Sequence, residues 1–385
     1  FIGPLPVNAL DGFTLIFIIA SAIRWYWGNR QLPAKPFQWL VAVVAVAATI
    51  GVIVAPDFWL AVGFWKSYFI LPLLMFLAVS YEFHQPTTVQ WGLRGLWLAA
   101  LYISLLAVVQ KLTGGYLVPT DYWLGGEGGR VTSIYSYANA VGLFVAPIAV
   151  LAAGYAGWLL HAWRKHRDRW TNQQWFDLVL SVATAVLGVA AVWWAKSDGA
   201  IVGITAGIVV MGLYHQKTRI VTAIVVALVA IVIFSGNVPA AWQQKVTFTD
   251  WSGQVRLTTW QETRQLIKDH WLLGVGLGGY PKALVAYHQA TYLEIFWYPH
   301  NWLLNFWVEL GLLGVVGMIG GLAQAVVTAW RRRYYAPWII PVLGALTVIV
   351  VHGLVDVPYF KGDLAILWWL LFALLIAPAH YPHQS

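Results

Sequence analysis

Cysteine is absent from the 385 residues, which excludes disulfides and thiolate chemistry while leaving the compartment open. Charge is scarce: 10% of residues are Asp, Glu, Lys or Arg, 60% are hydrophobic and the mean hydropathy is +0.69. Those values exclude a soluble globular chain. No long linker, charge block, low-complexity tract or convincing internal repeat divides the sequence, so residues 1–385 read as one membrane domain. No Cys/His cluster or HExxH pattern suggests zinc, and the acids are too scattered to argue a divalent metal site; no cofactor is expected. A nucleophile elbow is also missing, and with it the support for a Ser-His-Asp triad. The formal charge of +8 hints at nucleic acid, but its distribution is better explained by topology, and no nucleic-acid partner is expected.

What the chain does have is a series of apolar segments of roughly 15 to 25 residues, the length a helix needs to cross a hydrocarbon core about 30 Å thick. Eleven spans are predicted, at 8–27, 38–55, 58–81, 93–112, 137–163, 178–195, 199–214, 220–236, 301–330, 338–355 and 364–379. The expected fold is therefore all-α and polytopic. Many of the 25 Trp and 18 Tyr fall near segment ends, among them Trp25, Tyr26, Trp27, Trp91, Trp193, Trp194 and Trp338, where amphipathic rings favour the headgroup region. Lys and Arg test the alternation. One set of loops holds Arg24, Arg30, Lys35, Arg94, Arg164, Lys165, Arg167, Arg169, Lys217, Arg219, Arg331, Arg332 and Arg333; the opposite short loops hold only Lys66, Lys111, Arg130, Lys196 and Lys361. By the positive-inside rule the first set is cytoplasmic and the long segment 237–300 faces outward. Residue 1 is Phe, which fits either a missing first span, making twelve with both ends inside, or a cleaved signal peptide.

Two outward loops stand out, a glycine- and tyrosine-rich one at 111–136 and the long one at 237–300. Within the second, Gln254 to His270 reads as an amphipathic helix suited to the membrane interface. Arg256, Trp260, Arg264 and Lys268 recur every four residues and form a slowly drifting stripe. A cationic stripe at a membrane surface suits a diphosphate, and it equally suits anionic headgroups. Gly199, Gly203 and Gly207, and separately Gly311, Gly314, Gly317 and Gly320, read as close-packing series. The GVGLGG run at 274–279 lacks the strand and helix of a phosphate-binding loop and reads as a turn.

Ionisable residues in apolar spans default to function because burying them is costly. YPHNWLLNFWVELGLLG, residues 298–314, holds three polar residues on one helical stripe, Asn301, Asn305 and Glu309, with His300 at its mouth. Taking 301–330 as one helix, Glu309 is off the face of His300, and a structural role for Glu309, neutral or hydrogen-bonded to another span, is favoured. A histidine at such a boundary can be neutral near pH 7 and accept a proton, or can simply cap the helix. His352 and Asp356, four apart, can share a cavity and bond each other, or form a buried structural pair. Lys196, Ser197 and Asp198 occupy a short outer turn that reads either as part of a site or as a salt-bridged turn.

The run RLTTWQETRQLIKDHWLLGVGLGGY, followed by PHNWLLNFWVELGLLG, resembles the O-antigen ligase and O-antigen polymerase superfamily. That family's hallmark is an outer-loop arginine, a GxG-type turn, then His-Asn opening a helix with an ELG element. GRVTSIYSYANAVGLF, KSDGAIVGITAG and VHGLVDVPY follow the family's order, so the resemblance covers roughly residues 110 to 375. It implies a GT-C-like, metal-independent glycosyltransferase on the outer (periplasmic) face of the bacterial cytoplasmic membrane. The implied donor is a glycan on undecaprenyl diphosphate; the acceptor is a glycan, a lipid A core or another hydroxyl, and membrane lipids surround both. Carried over residue by residue, His300 matches the histidine that takes the acceptor proton or positions the hydroxyl, and Arg256 the arginine that holds the diphosphate. Arg130 and Asn139 match a less defined element, Asn301 completes His-Asn, and Arg264 and Lys196 supply further cations. His352, Asp356 and Glu309 are supporting residues. Where the family has Ser-Arg-Gly, this chain has Ser197, Asp198 and Gly199, with the basic residue either displaced to Lys196 or lost. Ligase, polymerase and protein O-oligosaccharyltransferase share this donor, and a flippase of lipid-linked glycans is the reading from a different class.

Overall fold

The computed structural model describes residues 8–28, 35–115, 129–235 and 239–378, and among these every regular element is helical. All eleven expected spans are helices: α1 Ala9–Gly28, α2 Lys35–Ile53, α3 Phe58–Glu82, α4 Pro86–Leu112, α5 Ala138–Lys165, α6 Asn172–Trp194, α7 Asp198–Tyr214 and α8 Arg219–Phe234, then, beyond the long loop, α12 Trp302–Arg332, α13 Ile339–His352 and α14 Gly362–Ile376. The loop itself carries α9 Ala240–Val246, α10 Trp251–Asp269 and α11 Tyr280–Leu284. Among the described residues six helices, α1, α3, α4, α5, α6 and α12, are long and apolar enough to cross a membrane, and the other five of the eleven are shorter but equally apolar. The chain is a multi-pass membrane protein. Most of the smaller loop, 116–128, lies outside the described residues.

Local chemistry sets where the helices begin. Thr171 and Gln174 form a reciprocal capping box at the start of α6, satisfying amides that the first turn leaves free. Asp57 caps α3 through the Leu60 amide at 3.0 Å, and Pro86 opens α4, where its missing N–H is no loss. Several charges counted above with the loops are inside helices, and two of them, away from the helix ends, are paired with an acid on a neighbouring helix. Arg94 lies within α4, where its Nε and Nη2 donate to Asp177 of α6 at 2.6 and 3.0 Å in a buried fork. Lys66 lies in a π-helical stretch of α3, Trp65–Ile70, and meets Asp11 of α1 at 2.8 Å. Both are tolerated at that depth because an acid on a neighbouring helix faces them.

Packing follows the small residues. α7 lies against α13, and a Cβ on Gly203 or Gly207 would come within 3.0 Å of the Val348 carbonyl or 2.7 Å of the Gly344 carbonyl. The first glycine series therefore permits close helix approach as expected. α5 packs against α4, α6, α7 and α13, while α12 packs on α2 and α14 on α3. Phe69, Phe76, Phe306, Tyr359, Phe360 and Trp369 form a buried aromatic cluster among α3, α12 and α14. At the end away from the long loop, Arg332 of α12 donates to the Leu375 and Ala377 carbonyls and caps α14.

α12 is not one continuous helix. Gly311 has φ 65° and ψ −164°, a conformation open essentially to glycine alone, and it breaks the ladder there. The bond lost is the one from the Leu312 amide to the Val308 carbonyl, and the 272–279 loop repairs both halves. Leu312 N donates to Leu272 O at 3.0 Å, and Val308 O accepts from Val275 N at 2.6 Å. Irregular backbone is tolerated at such a place because protein groups replace the missing partners. The same loop fastens to α2 through Leu277 N and Gly51 O at 3.0 Å, and Gly278 N donates to Glu309 at 3.2 Å. GVGLGG is thus a turn with a structural task. Glu309 has the structural partner expected of it, but in the loop and not in another span.

Candidate functional site

The site forms at the turn that follows α13, whose own last carbonyls accept from turn amides, Gly353 N donating to Ile349 O and Val355 N to His352 O. The three carbonyls of that turn are taken by the start of α12 and by α10. Gly353 O accepts from the Trp302 amide at 2.8 Å, Leu354 O from Asn301 Nδ2 at 3.0 Å, and Val355 O from Arg256 Nε at 2.9 Å. This pins the start of α12 and the first half of α10 to one point. Asn301 also caps α12, its Oδ1 accepting from the Leu303 and Leu304 amides at 3.0 and 3.1 Å. The cap is therefore Asn301, and His300 is released from that duty. His300 has φ 51°, left-handed for a non-glycine residue, and its ring meets Phe296 edge-on at 4.9 Å. The bond from Trp260 Nε1 to Pro299 O, 2.9 Å, holds the residue just before it.

On one face of α10, Leu266 and Ile267 pack on Val275, Tyr280, Leu284 and Val308, which seats that face on protein. Its far side is drawn in by Glu262, which accepts from the Gln289 and Ala290 amides at 2.8 and 3.0 Å and meets His288 at 3.1 Å. Burial pushes the Glu262 carboxyl up, yet these bonds together hold it below the usual range.

A polar chain reaches the same point from α5. Arg130 donates through Nε to Ala195 O and through Nη2 to Asn139 Oδ1, both at 2.8 Å, and Asn139 Nδ2 donates to Asp356 Oδ2 at 3.2 Å. Asp356 Oδ1 accepts from the Val357 amide at 2.8 Å, so Asp356 bonds these groups and not His352. The His352 ring instead lies against Gly199, where an added Cβ would stand 2.6 Å from its Cδ2.

Electrostatics ties the groups together. Burial lowers the His300 imidazole below its ordinary value of 6.5; Asp356 opposes this and the Arg256 cation adds to it. Near neutral pH the ring is uncharged and can accept a proton. Burial also lowers Arg256, opposed by Asp356, Asp250 and Asp198, but a guanidinium stays charged. Its Nη1 bonds Ser252 Oγ at 2.6 Å and its Nε bonds Val355 O, leaving Nη2 for a ligand.

Of the residues singled out from sequence, Arg256, His300, Asn301, Arg130, Asn139, His352 and Asp356 converge here. Arg264 does not: it is exposed and bonds only the Trp260 carbonyl of its own helix, at 3.3 Å. Glu309 belongs to the repaired break in α12. Lys196 lines a separate cavity, and the salt bridge of its turn runs from Asp198 to Lys245 at 2.5 Å, outside the turn. Sequence reasoning missed Lys361, counted only as a loop charge. Its Nζ lies 4.1 Å from the Tyr137 ring centroid, burial lowers its ammonium, and Asp363 and Asp356 oppose that. The available signal was a lysine at the mouth of an apolar span, beside VHGLVDVPY.

Residues 183–319 match the sequence model of a family described as O-antigen ligase. The matched stretch contains Lys196, Arg256, Arg264, His300, Asn301 and Glu309, while Arg130, Asn139, His352 and Asp356 fall outside it. No curated protein matches the chain. Among the described residues, no three His, Asp or Glu side chains gather in a metal-binding arrangement.

Proposed function

We propose that this protein belongs to the O-antigen ligase family and is a GT-C-type glycosyltransferase that moves a glycan from undecaprenyl diphosphate to an acceptor hydroxyl. The reaction takes place at the long-loop end, on the outer face of the cytoplasmic membrane. The observation that carries this reading is the meeting of a neutral imidazole, His300, with a half-buried guanidinium, Arg256, just beyond the end of α13. The asymmetry of Lys and Arg between the two ends supports the orientation.

The acceptor oxygen attacks the anomeric carbon and forms the new glycosidic bond as the bond from that carbon to the diphosphate oxygen breaks. His300 takes the hydroxyl proton, and undecaprenyl diphosphate leaves with the bonding electron pair. Arg256 meets the developing negative charge through its uncommitted Nη2, an electrostatic role that is effective where water is excluded. Asp356 keeps His300 from being too weak a base, and the Arg130–Asn139 chain holds Asp356. A donor with an α linkage gives an inverted product. Guanidinium groups take the charge-neutralising role a metal has elsewhere, so EDTA leaves the rate unchanged.

The test is reconstitution in liposomes with an undecaprenyl-diphosphate-linked oligosaccharide, followed by product mass. A longer glycan, or one moved to an added acceptor, supports transfer. A ladder without added acceptor identifies a polymerase. A glycan that changes leaflet with unaltered mass overturns the reading in favour of a flippase.

A further inference from the structure

A cavity of about 540 Å³ that shares no lining residue with the candidate site opens between the C-terminal end of α2, at Val54 and Pro56, and the segment that follows α10. The backbone of that segment is held by protein. Gly274 N donates to His270 O at 2.9 Å, Trp307 Nε1 to Trp271 O at 2.8 Å and Leu312 N to Leu272 O at 3.0 Å. Its side chains are not covered: Trp271, Leu272 and Leu273, three consecutive large apolar residues on the cavity wall, are each about half exposed. Apolar area held out on a fixed backbone is unfavourable against water and not against hydrocarbon. The depth of the segment is set by α12. Arg331, Arg332 and Arg333 mark one end of the membrane-spanning part of that helix. About 20 residues cross a hydrocarbon core, and counted back from Arg331 that length ends at Gly311, the residue around which the segment closes. The cavity therefore lies at the bilayer boundary on the long-loop side, among the lipid headgroups.

Its polar rim carries one acid and one lysine that do not pair with each other. Asp269 is held by the Tyr287 hydroxyl, which donates to its Oδ2 at 2.6 Å and leaves Oδ1 without a partner among the described residues. Lys282, on α11, is exposed, and among the described residues neither its ammonium nor the His270 ring has a hydrogen bond or an ion pair. We infer that the cavity binds a phospholipid of the surrounding leaflet through a phosphoethanolamine headgroup, whose ammonium donates to Asp269 and whose phosphate accepts from Lys282 and His270. The acyl chains lie along Trp271, Leu272 and Leu273. The volume is within the roughly 300–1,000 Å³ of small-ligand pockets and takes a headgroup with the start of its chains. Contacts between charged groups of this kind are charge-assisted hydrogen bonds, and a zwitterion leaves neither rim charge unmatched. A phosphocholine headgroup has no N–H to give Asp269, and a phosphoglycerol headgroup brings no cation. The bound lipid rests against the same segment that repairs the break in α12.

This site does not depend on the glycan-transfer reading, and lipid binding alone tests it. The whole protein, purified in detergent and stripped of lipid, is titrated with phosphatidylethanolamine, phosphatidylcholine and phosphatidylglycerol of the same acyl chains, and bound lipids are counted by native mass spectrometry. The first phosphatidylethanolamine is expected to bind the wild type at least about tenfold more tightly than either of the others, the worth of one hydrogen bond to a charged group. Lys282→Gln is expected to weaken it by roughly that factor, and Asp269→Asn to make the ethanolamine and choline lipids bind alike. Both side chains are exposed, and Asn keeps an oxygen for the Tyr287 hydroxyl, so both variants leave the fold intact. Equal binding of the three lipids means an ordinary lipid annulus and overturns the site. Tightest binding of phosphatidylglycerol also overturns it and assigns the rim to a simple anion. A preference for ethanolamine that survives either variant unchanged places that preference elsewhere on the protein and likewise overturns the site.

Discussion

Asn139 and Asp356, 217 positions apart in sequence, are joined by a 3.2 Å hydrogen bond from Nδ2 to Oδ2 at the mouth of the bundle. Through it, the entry of α5 orients the one carboxylate that raises the proton affinity of His300. Asp356→Asn keeps the shape and removes the charge. Burial and Arg256 then lower His300 unopposed, so the acidic limb of the transfer-rate profile, already below about pH 6.5, shifts to still lower pH. A profile recorded between pH 4.5 and 8 checks this, using the ordinary histidine value of about 6.5 as reference. An unmoved limb means that His300 is not the titrating group.

Asn301 has two tasks, capping α12 and bonding Leu354 O. Asn301→Ala is expected to cost about 1 kcal/mol in cap stability. It also loosens the link between α12 and the end of α13, so the turnover number falls further than the small loss of stability explains. Comparing thermal unfolding in detergent with kcat separates the two effects.

Gly311→Ala places a Cβ 2.2 Å from the Leu272 carbonyl at a φ of 65°. Strain of this kind costs about 1–3 kcal/mol, and here the loop must also move. Amide hydrogen exchange at 272–279 should quicken and the unfolding temperature should fall. Unchanged exchange in that segment contradicts the repaired-break description.

The buried pair of Arg94 and Asp177 predicts asymmetry. Asp177→Ala leaves a guanidinium without its acid and costs roughly 3–5 kcal/mol, whereas replacing both residues by apolar ones recovers most of that loss. Urea or thermal unfolding of the single and double variants measures it.

The eleven helices were legible because run length and hydropathy are properties of the local sequence. Arg94 and Lys66 were misread as loop charges because hydropathy cannot see Asp177 or Asp11 on another helix. Gly311 read as a packing glycine, since its break is visible only once Leu272 and Val275 arrive from the loop. His300, Asn301 and Arg256 were singled out by motif, but the three carbonyls of the turn after α13 that join their segments were not, because backbone acceptors leave no trace in sequence. Lys361 was overlooked for a similar reason: its neighbour Tyr137 comes from a distant segment.

The central claim is that His300 moves a proton during glycan transfer. The most direct measurement is single-turnover transfer in liposomes by the wild type and His300→Gln, with donor binding measured on the same samples. The account predicts a fall of about 10²–10⁴-fold in the transfer step, the usual worth of a general base, with donor affinity unchanged. Transfer by His300→Gln at the wild-type rate contradicts it.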